Sequence, residues 1–159
     1  MTGEKLINLD VMQIQEYQQN RFPCLFVDCI TEVVPGDYAY GYKNFTYNEW
    51  FFPAHFPDEP NVPGFIQIEA LTQVFLMTFL TLPGYKGMKT GFIDVHHHFW
   101  KKIVPGTRLT VKAKLHSFRR GIAKGKAIGL LDDGTTACES ELTIVIPEVL
   151  DKFRPADTK

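Results

Sequence analysis

Apolar positions change their spacing along the chain, and each change marks an element. Asp10 stands where a helix cap belongs, and Val11, Ile14 and Tyr17 follow at helical spacing, so a short helix through about Gln18 is expected. Residues 1–9 before it read as extended or frayed. Pro23 ends any continuation of the helix. From Cys24 to Val34 the chain is apolar and β-prone. Pro35-Gly36-Asp37 then makes a turn, and Tyr38 to Tyr47 forms the second arm of a hairpin, with Tyr38, Tyr40 and Tyr42 at alternate positions. Asn48 to Phe52 reads as a single helical turn. The loop that follows holds Pro53, Pro57, Pro60 and Pro63, too many for helix or central strand, and these prolines leave the backbone little freedom to lose on folding.

Phe65 to Leu82 is apolar on nearly every side, with no wet face of useful width. Such a helix has to be wrapped by the rest of the molecule, and Pro83-Gly84 stops it. Strands follow at Gly91–Lys101, Arg108–Phe118, Ile122–Leu131 and Thr136–Ile146. Turns at Pro105-Gly106-Thr107, Arg120-Gly121 and Asp133-Gly134 separate them. In Arg108–Phe118 the positions Leu109, Val111, Ala113 and Leu115 share one face. Residues 148–159 read as a polar tail with little core signal. Helix and strands are segregated along the chain, so the fold class is α+β, with one antiparallel sheet curled around one long central helix. A length of 159 residues suits one such domain, with its core at about 10–147.

Charge and composition narrow the field. The net charge of −1 gives no global drive toward nucleic acid or membrane. The cysteines Cys24, Cys29 and Cys138 are odd in number and form no CxxC pair, which favours a reducing compartment over a disulfide scaffold or zinc site. Met1 to Lys5 shows no hydrophobic signal core. Phe65–Leu82 is near membrane-spanning length, but Gln67, Glu69 and Gln73 are costly in lipid, so a buried helix in a cytoplasmic protein is expected.

Two side chains stand out as candidate chemistry. His55 sits alone on the proline-stiffened loop, and Glu69 is the one carboxylate on the apolar helix. Together they suit an acid/base site; separately they would be a loop histidine and a paired core charge. The run His96-His97-His98 invites a metal reading. Asp94, His96 and His98 would share a strand face, yet alternate positions step by roughly 6.6 Å, too far for all of them to hold one ion comfortably. A packed or solvated strand is the better reading there. Lys101, Lys102, Arg108, Lys112, Lys114, Arg119, Arg120, Lys124 and Lys126 make the later strands basic, which usually means a wet sheet face.

The layout and its motifs resemble the hotdog fold and, more narrowly, the β-hydroxyacyl-acyl carrier protein dehydratases of the FabZ type. Arg21-Phe22-Pro23-Cys24-Leu25-Phe26-Val27-Asp28 resembles that family's Arg-Tyr-Pro-Phe-Leu-Leu-Val-Asp segment. Lys43-Asn44 through Phe51-Phe52 resembles its lead-in to the active site. His55-Phe56-Pro57, Pro60, Pro63-Gly64 and Glu69-Ala70 match the family core in order and spacing, and Val104-Pro105-Gly106 with Leu109 matches its later turn. The resemblance covers about Asp10 to Ile146. Ala54, Asp58-Glu59, Asn61 and His98 depart from the family's usual Gly, Gly-Arg, Val and Arg.

The resemblance implies removal of water from a 3-hydroxyacyl thioester in fatty acid biosynthesis. That reaction needs a base for the proton at C2 and an acid for the hydroxyl leaving C3. Histidine titrates near neutrality and suits the first role at His55. Burial raises a carboxyl's pKa and suits Glu69 to the second. Charge on the thioester oxygen needs donors, and the helix start at Gly64 offers free N–H groups with close backbone approach. Gln73, one turn beyond Glu69, is a candidate to bind substrate or to orient Glu69 or a water.

By the same resemblance His55 and Glu69 would meet across a dimer interface, in a homodimer or a trimer of dimers. An apolar tunnel would take the acyl chain, an acidic acyl carrier protein with its phosphopantetheine arm would deliver it, basic residues near the tunnel mouth would dock that carrier, and no metal or organic cofactor would be needed. A hotdog thioesterase and a non-catalytic acyl-binding or assembly module are the alternatives.

Overall fold

A computed structural model describes residues 3–154 of the chain. The elements run β1 (Leu6–Leu9), α1 (Val11–Tyr17), β2 (Cys29–Val34), β3 (Tyr38–Phe45), α2 (Gly64–Leu80), β4 (Gly91–Phe99), β5 (Thr107–Arg119), β6 (Ile122–Leu130), β7 (Thr136–Val145) and α3 (Pro147–Asp151). All the strands join one 7-stranded sheet in the order β1-β2-β3-β5-β6-β7-β4, and every neighbouring pair is antiparallel.

The sheet wraps α2, which packs against β2, β3, β5, β6 and β7. From Ala70 to Leu80 every residue of α2 is buried, as its all-round apolar sequence requires. The strand faces turned to it carry Ala39, Phe45, Leu109, Val111, Ala113, Ala123, Ala127, Cys138, Leu142 and Ile144, all buried. Small residues dominate where helix and sheet come closest. A Cβ on Gly125 would stand 2.5 Å from Phe75 Cε2 and would also collide with the Lys114 carbonyl oxygen. Only glycine lets β5 and β6 pair there over the helix.

Several expectations hold closely. Asp10 caps α1 through Oδ1, which accepts from Met12 N and Gln13 N at 2.9 Å, while Gln13 answers with Oε1 to Asp10 N at 3.0 Å. That is a complete capping box. Leu109, Val111, Ala113 and Leu115 face inward on β5. Tyr38, Tyr40 and Tyr42 share a face of β3, but it is the outer one, because Ala39, Gly41, Lys43 and Phe45 take the buried positions.

Other expectations are corrected. The strand expected at Cys24–Val34 begins only at Cys29. Residues before it are fixed by a side chain instead of a neighbouring strand, since Gln73 bonds the Cys24 carbonyl and the Phe26 N–H. The helical turn expected at Asn48–Phe52 is a succession of turns, with Glu49 N to Thr46 O at 3.2 Å, Phe52 N to Glu49 O at 3.3 Å and Ala54 N to Phe51 O at 3.1 Å. The first residues of the expected polar tail form α3, which buries Val149 over the β5–β6 turn beside Gly121. Residues 155–159 of that tail lie outside the described residues.

Candidate active site

The loop ahead of α2 holds His55 by backbone bonds. His55 O accepts from Asn61 N at 2.9 Å, and His55 Nδ1 lies 3.1 Å from Asn61 O. A carbonyl oxygen can only accept, so Nδ1 carries the proton and Nε2 of the neutral ring keeps its lone pair. The ring stacks on Phe56 at 4.2 Å between centroids, across a cis His55–Phe56 peptide. Val62 N bonds Ile103 O at 2.8 Å and ties the end of the loop to the segment between β4 and β5.

Gly64 is the first residue of α2, after Pro63 as cap. Proline offers no capping side chain. Ile66 N and Gln67 N turn back to Pro63 O, and among the described residues the N–H groups of Gly64 and Phe65 find no acceptor. A Cβ on Gly64 would lie 2.8 Å from Phe99 Cζ, so the missing side chain is what admits that ring. His55, Gly64, Gln67, Phe99, Trp100 and Lys101 line one cleft of ≈ 420 Å³.

Glu69 lies elsewhere. Its Oε1 accepts from Gln73 Nε2 at 2.8 Å and from Asn20 Nδ2 at 3.2 Å. Among the described residues Oε2 accepts nothing and is left for the cleft. Burial pushes the Glu69 carboxyl above its ordinary range, and the hydrogen bonds from Gln73 and Asn20 pull it partly back. Two adjoining clefts reach this carboxyl. One is apolar, walled by Cys24, Phe26, Trp50, Phe65 and Phe92; the other is more polar and passes Asn20, Lys89 and Phe92.

Gln73 is fully buried, and its amide is committed on every side. Oε1 accepts from Phe26 N at 2.6 Å, which fixes the orientation of the amide, while Nε2 donates to Cys24 O at 2.7 Å and to Glu69. No N–H is left for a substrate oxygen. Of the two parts expected of Gln73, binding substrate or orienting Glu69, these bonds favour the second.

The structure thus brings together His55 with Gly64, and Glu69 with Gln73, in separate clefts of one chain. Asn20 was not visible in the sequence as a site residue, and nothing in its surroundings there signals the bond. The histidine run divides across β4. His96 and His98 face outward opposite Glu141 and Glu139, while His97 turns inward to Ser140 Oγ at 2.6 Å. Burial first, and then the charge of His98, push His97 down to about 4. Among the described residues no set of three or more His, Cys, Asp or Glu is placed to hold a metal ion, and no helix is long and apolar enough to cross a membrane.

Comparison with known proteins places the chain in a lineage. Residues 19–141 match the family model of the FabA-like domain. A Clostridium botulinum protein named 3-hydroxyacyl-[acyl-carrier-protein] dehydratase FabZ is 42% identical over 139 residues, 87% of this chain and 96% of its own length. A Bacillus licheniformis protein of the same name is 40% identical over 141 residues, 88% of this chain and 97% of that one. Among solved structures, the dehydratase heterocomplex ApeI:P from Xenorhabdus doucetiae superposes with a TM-score of 0.71 at 12% identity, covering 91% of this chain and 92% of that one. The E. coli PaaI protein gives 0.56 at 10% identity over 70% of this chain and 77% of its own. At such identities these structures speak for the fold alone. From the family match and the extent of the curated relatives, the chain belongs to the FabA-like family, in its FabZ-type branch.

Proposed function

We propose that the protein dehydrates a 3-hydroxyacyl thioester, delivered on an acyl carrier protein, to the trans-2-enoyl thioester. His55 Nε2 takes the proton from C2. The N–H groups at the start of α2, at Gly64 and Phe65, receive the charge that moves onto the thioester oxygen. Glu69, protonated because burial raises its pKa, gives its proton to the C3 hydroxyl, which leaves as water. His55 then holds one proton more and Glu69 one fewer, and transfer through water resets the pair.

These groups act together only if two chains combine. The observation that carries this is the placement of β4. Its Gly91–Phe92 end lines the Glu69 clefts, and its Phe99 end lines the His55 cleft. β4 is the last strand of the sheet, and Phe92, Ile93, Val95 and Phe99 on it are exposed. Antiparallel pairing of β4 with β4 of a second copy would set the Phe92 end of one against the Phe99 end of the other. Each Glu69 would then face the His55 of the partner subunit, twice per dimer.

Mass spectrometry of a 3-hydroxyacyl carrier protein incubated with the enzyme should show loss of water. Release of the free acid instead would point to hydrolysis and sink the assignment. His55→Ala and Glu69→Gln should each abolish turnover. A dimer re-formed from equal amounts of the two variants should regain about a quarter of wild-type activity, because half the dimers are mixed and each holds one intact site. No recovery on mixing would mean that His55 and Glu69 do not come from different chains.

A further inference from the structure

The mouth of the His55 cleft carries an ion pair that the elimination chemistry leaves unused. Lys101 and Lys102 line the cleft beyond Phe99 and Trp100. Lys102 Nζ is paired with Glu59 Oε1, on the same loop as His55. Lys101 makes no ion pair among the described residues.

The Glu59 side chain does not build the loop. Its backbone exchanges bonds with Phe56 at 3.2 Å in both directions, its carbonyl accepts from Asn61 Nδ2 at 3.1 Å, and the Val62–Ile103 bond holds the loop against the lysine segment. The pair is thus brought face to face by backbone contacts that do not need it. Its side chains are 63% and 67% exposed, so water screens the attraction and exchange with another anion costs little.

We propose that Lys102, with Lys101 beside it, holds the phosphate of the phosphopantetheine arm, and that Glu59 is a built-in competitor occupying Lys102 until the phosphate displaces it. This deepens the dehydratase assignment and rests on it. A phosphate offers oxygens to both ammonium groups at once, which the Glu59 carboxylate does not do from its place on the loop. Glu59 thereby weakens retention of the arm and sets how strongly the enzyme prefers a phosphate-bearing thioester over one without phosphate.

The test compares one 3-hydroxyacyl group carried on pantetheine, which lacks the phosphate, on coenzyme A and on the carrier protein. The readout is the KM for the pantetheine thioester divided by the KM for each phosphate-bearing thioester. Glu59→Gln should raise this ratio about threefold and Lys102→Gln should lower it about threefold, chiefly through KM, as expected for one exposed ion pair. Both changes should shrink at about 0.5 M salt. A shift common to coenzyme A and carrier protein supports the phosphate as ligand. A shift confined to the carrier protein assigns the lysines to the carrier's own surface and overturns the proposal, as does an unchanged ratio in both variants. If wild type dehydrates none of the thioesters, the functional assignment fails and the phosphate site is judged separately by titrating 4′-phosphopantetheine. Binding that is lost in Lys102→Gln then supports the site, and no binding overturns it.

Discussion

Glu69 is held between opposing influences, and its proposed role depends on their balance. Burial favours the protonated carboxyl, while the donors on Gln73 and Asn20 favour the carboxylate. Asn20→Ala removes one donor, so the Glu69 pKa rises further. The acid then stays protonated to higher pH, and the alkaline limb of the activity profile should move upward; a downward shift would contradict the assigned role. The same carboxyl shapes stability. Its folded-state pKa lies above the unfolded value, so the folded state binds the proton more tightly, and stability is lost as pH rises through the window between the two. Glu69→Gln should therefore raise the thermal midpoint at neutral pH and change it less near pH 4, as read by thermal unfolding. His55, Gly64 and Glu69 are legible in the sequence because a loop and a helix start set them in order. The bond from Asn20, 49 residues from Glu69, is not, because it depends on the path of the intervening chain. Gln73 is legible as a neighbour of Glu69, but its partners Cys24 and Phe26 are not, so the bonds that fix its amide emerge only in three dimensions.

At the scale of elements, the all-round apolar helix announced that something must wrap it, and the alternation in β5 announced which face would do so. The boundaries at which sequence pattern and structure differ have a common cause. Each lies where a side chain or a packed end replaces the regular ladder: Gln73 at residues before β2, serial turns before Pro53, and Val149 after β7. Glycine positions at the helix–sheet contact are also silent in the sequence, since they reflect distance between elements and not local conformation. Gly125→Ala is expected to destabilise the protein by about 3 kcal/mol, because a methyl group there meets both Phe75 and the Lys114 carbonyl and must push the strand from the helix. Denaturant unfolding would check this, and a change under about 0.5 kcal/mol would show that the sheet yields easily there.

For the whole molecule, the proposed assembly turns on the open edge at β4. A long edge strand with exposed aromatic and aliphatic side chains is a liability for a lone chain and an asset for a pair. Ile93, 52% exposed, stands on that strand and lines neither the His55 cleft nor the Glu69 clefts. Ile93→Asp should give a monomer by light scattering that keeps its fold by circular dichroism but loses dehydration. An active monomer would refute the shared site.

The order of the sheet also bears on when the proposed pairing could arise during synthesis. Among the described residues, β4 is the fourth strand along the chain, yet its one neighbour in the sheet is β7, the last of these strands to leave the ribosome. A nascent chain that stops short of β7 has nowhere to lay β4, and so it lacks the edge by which it could capture a finished copy. Under the proposed pairing, prematurely terminated chains would thus be barred from joining complete ones and from spoiling their shared sites.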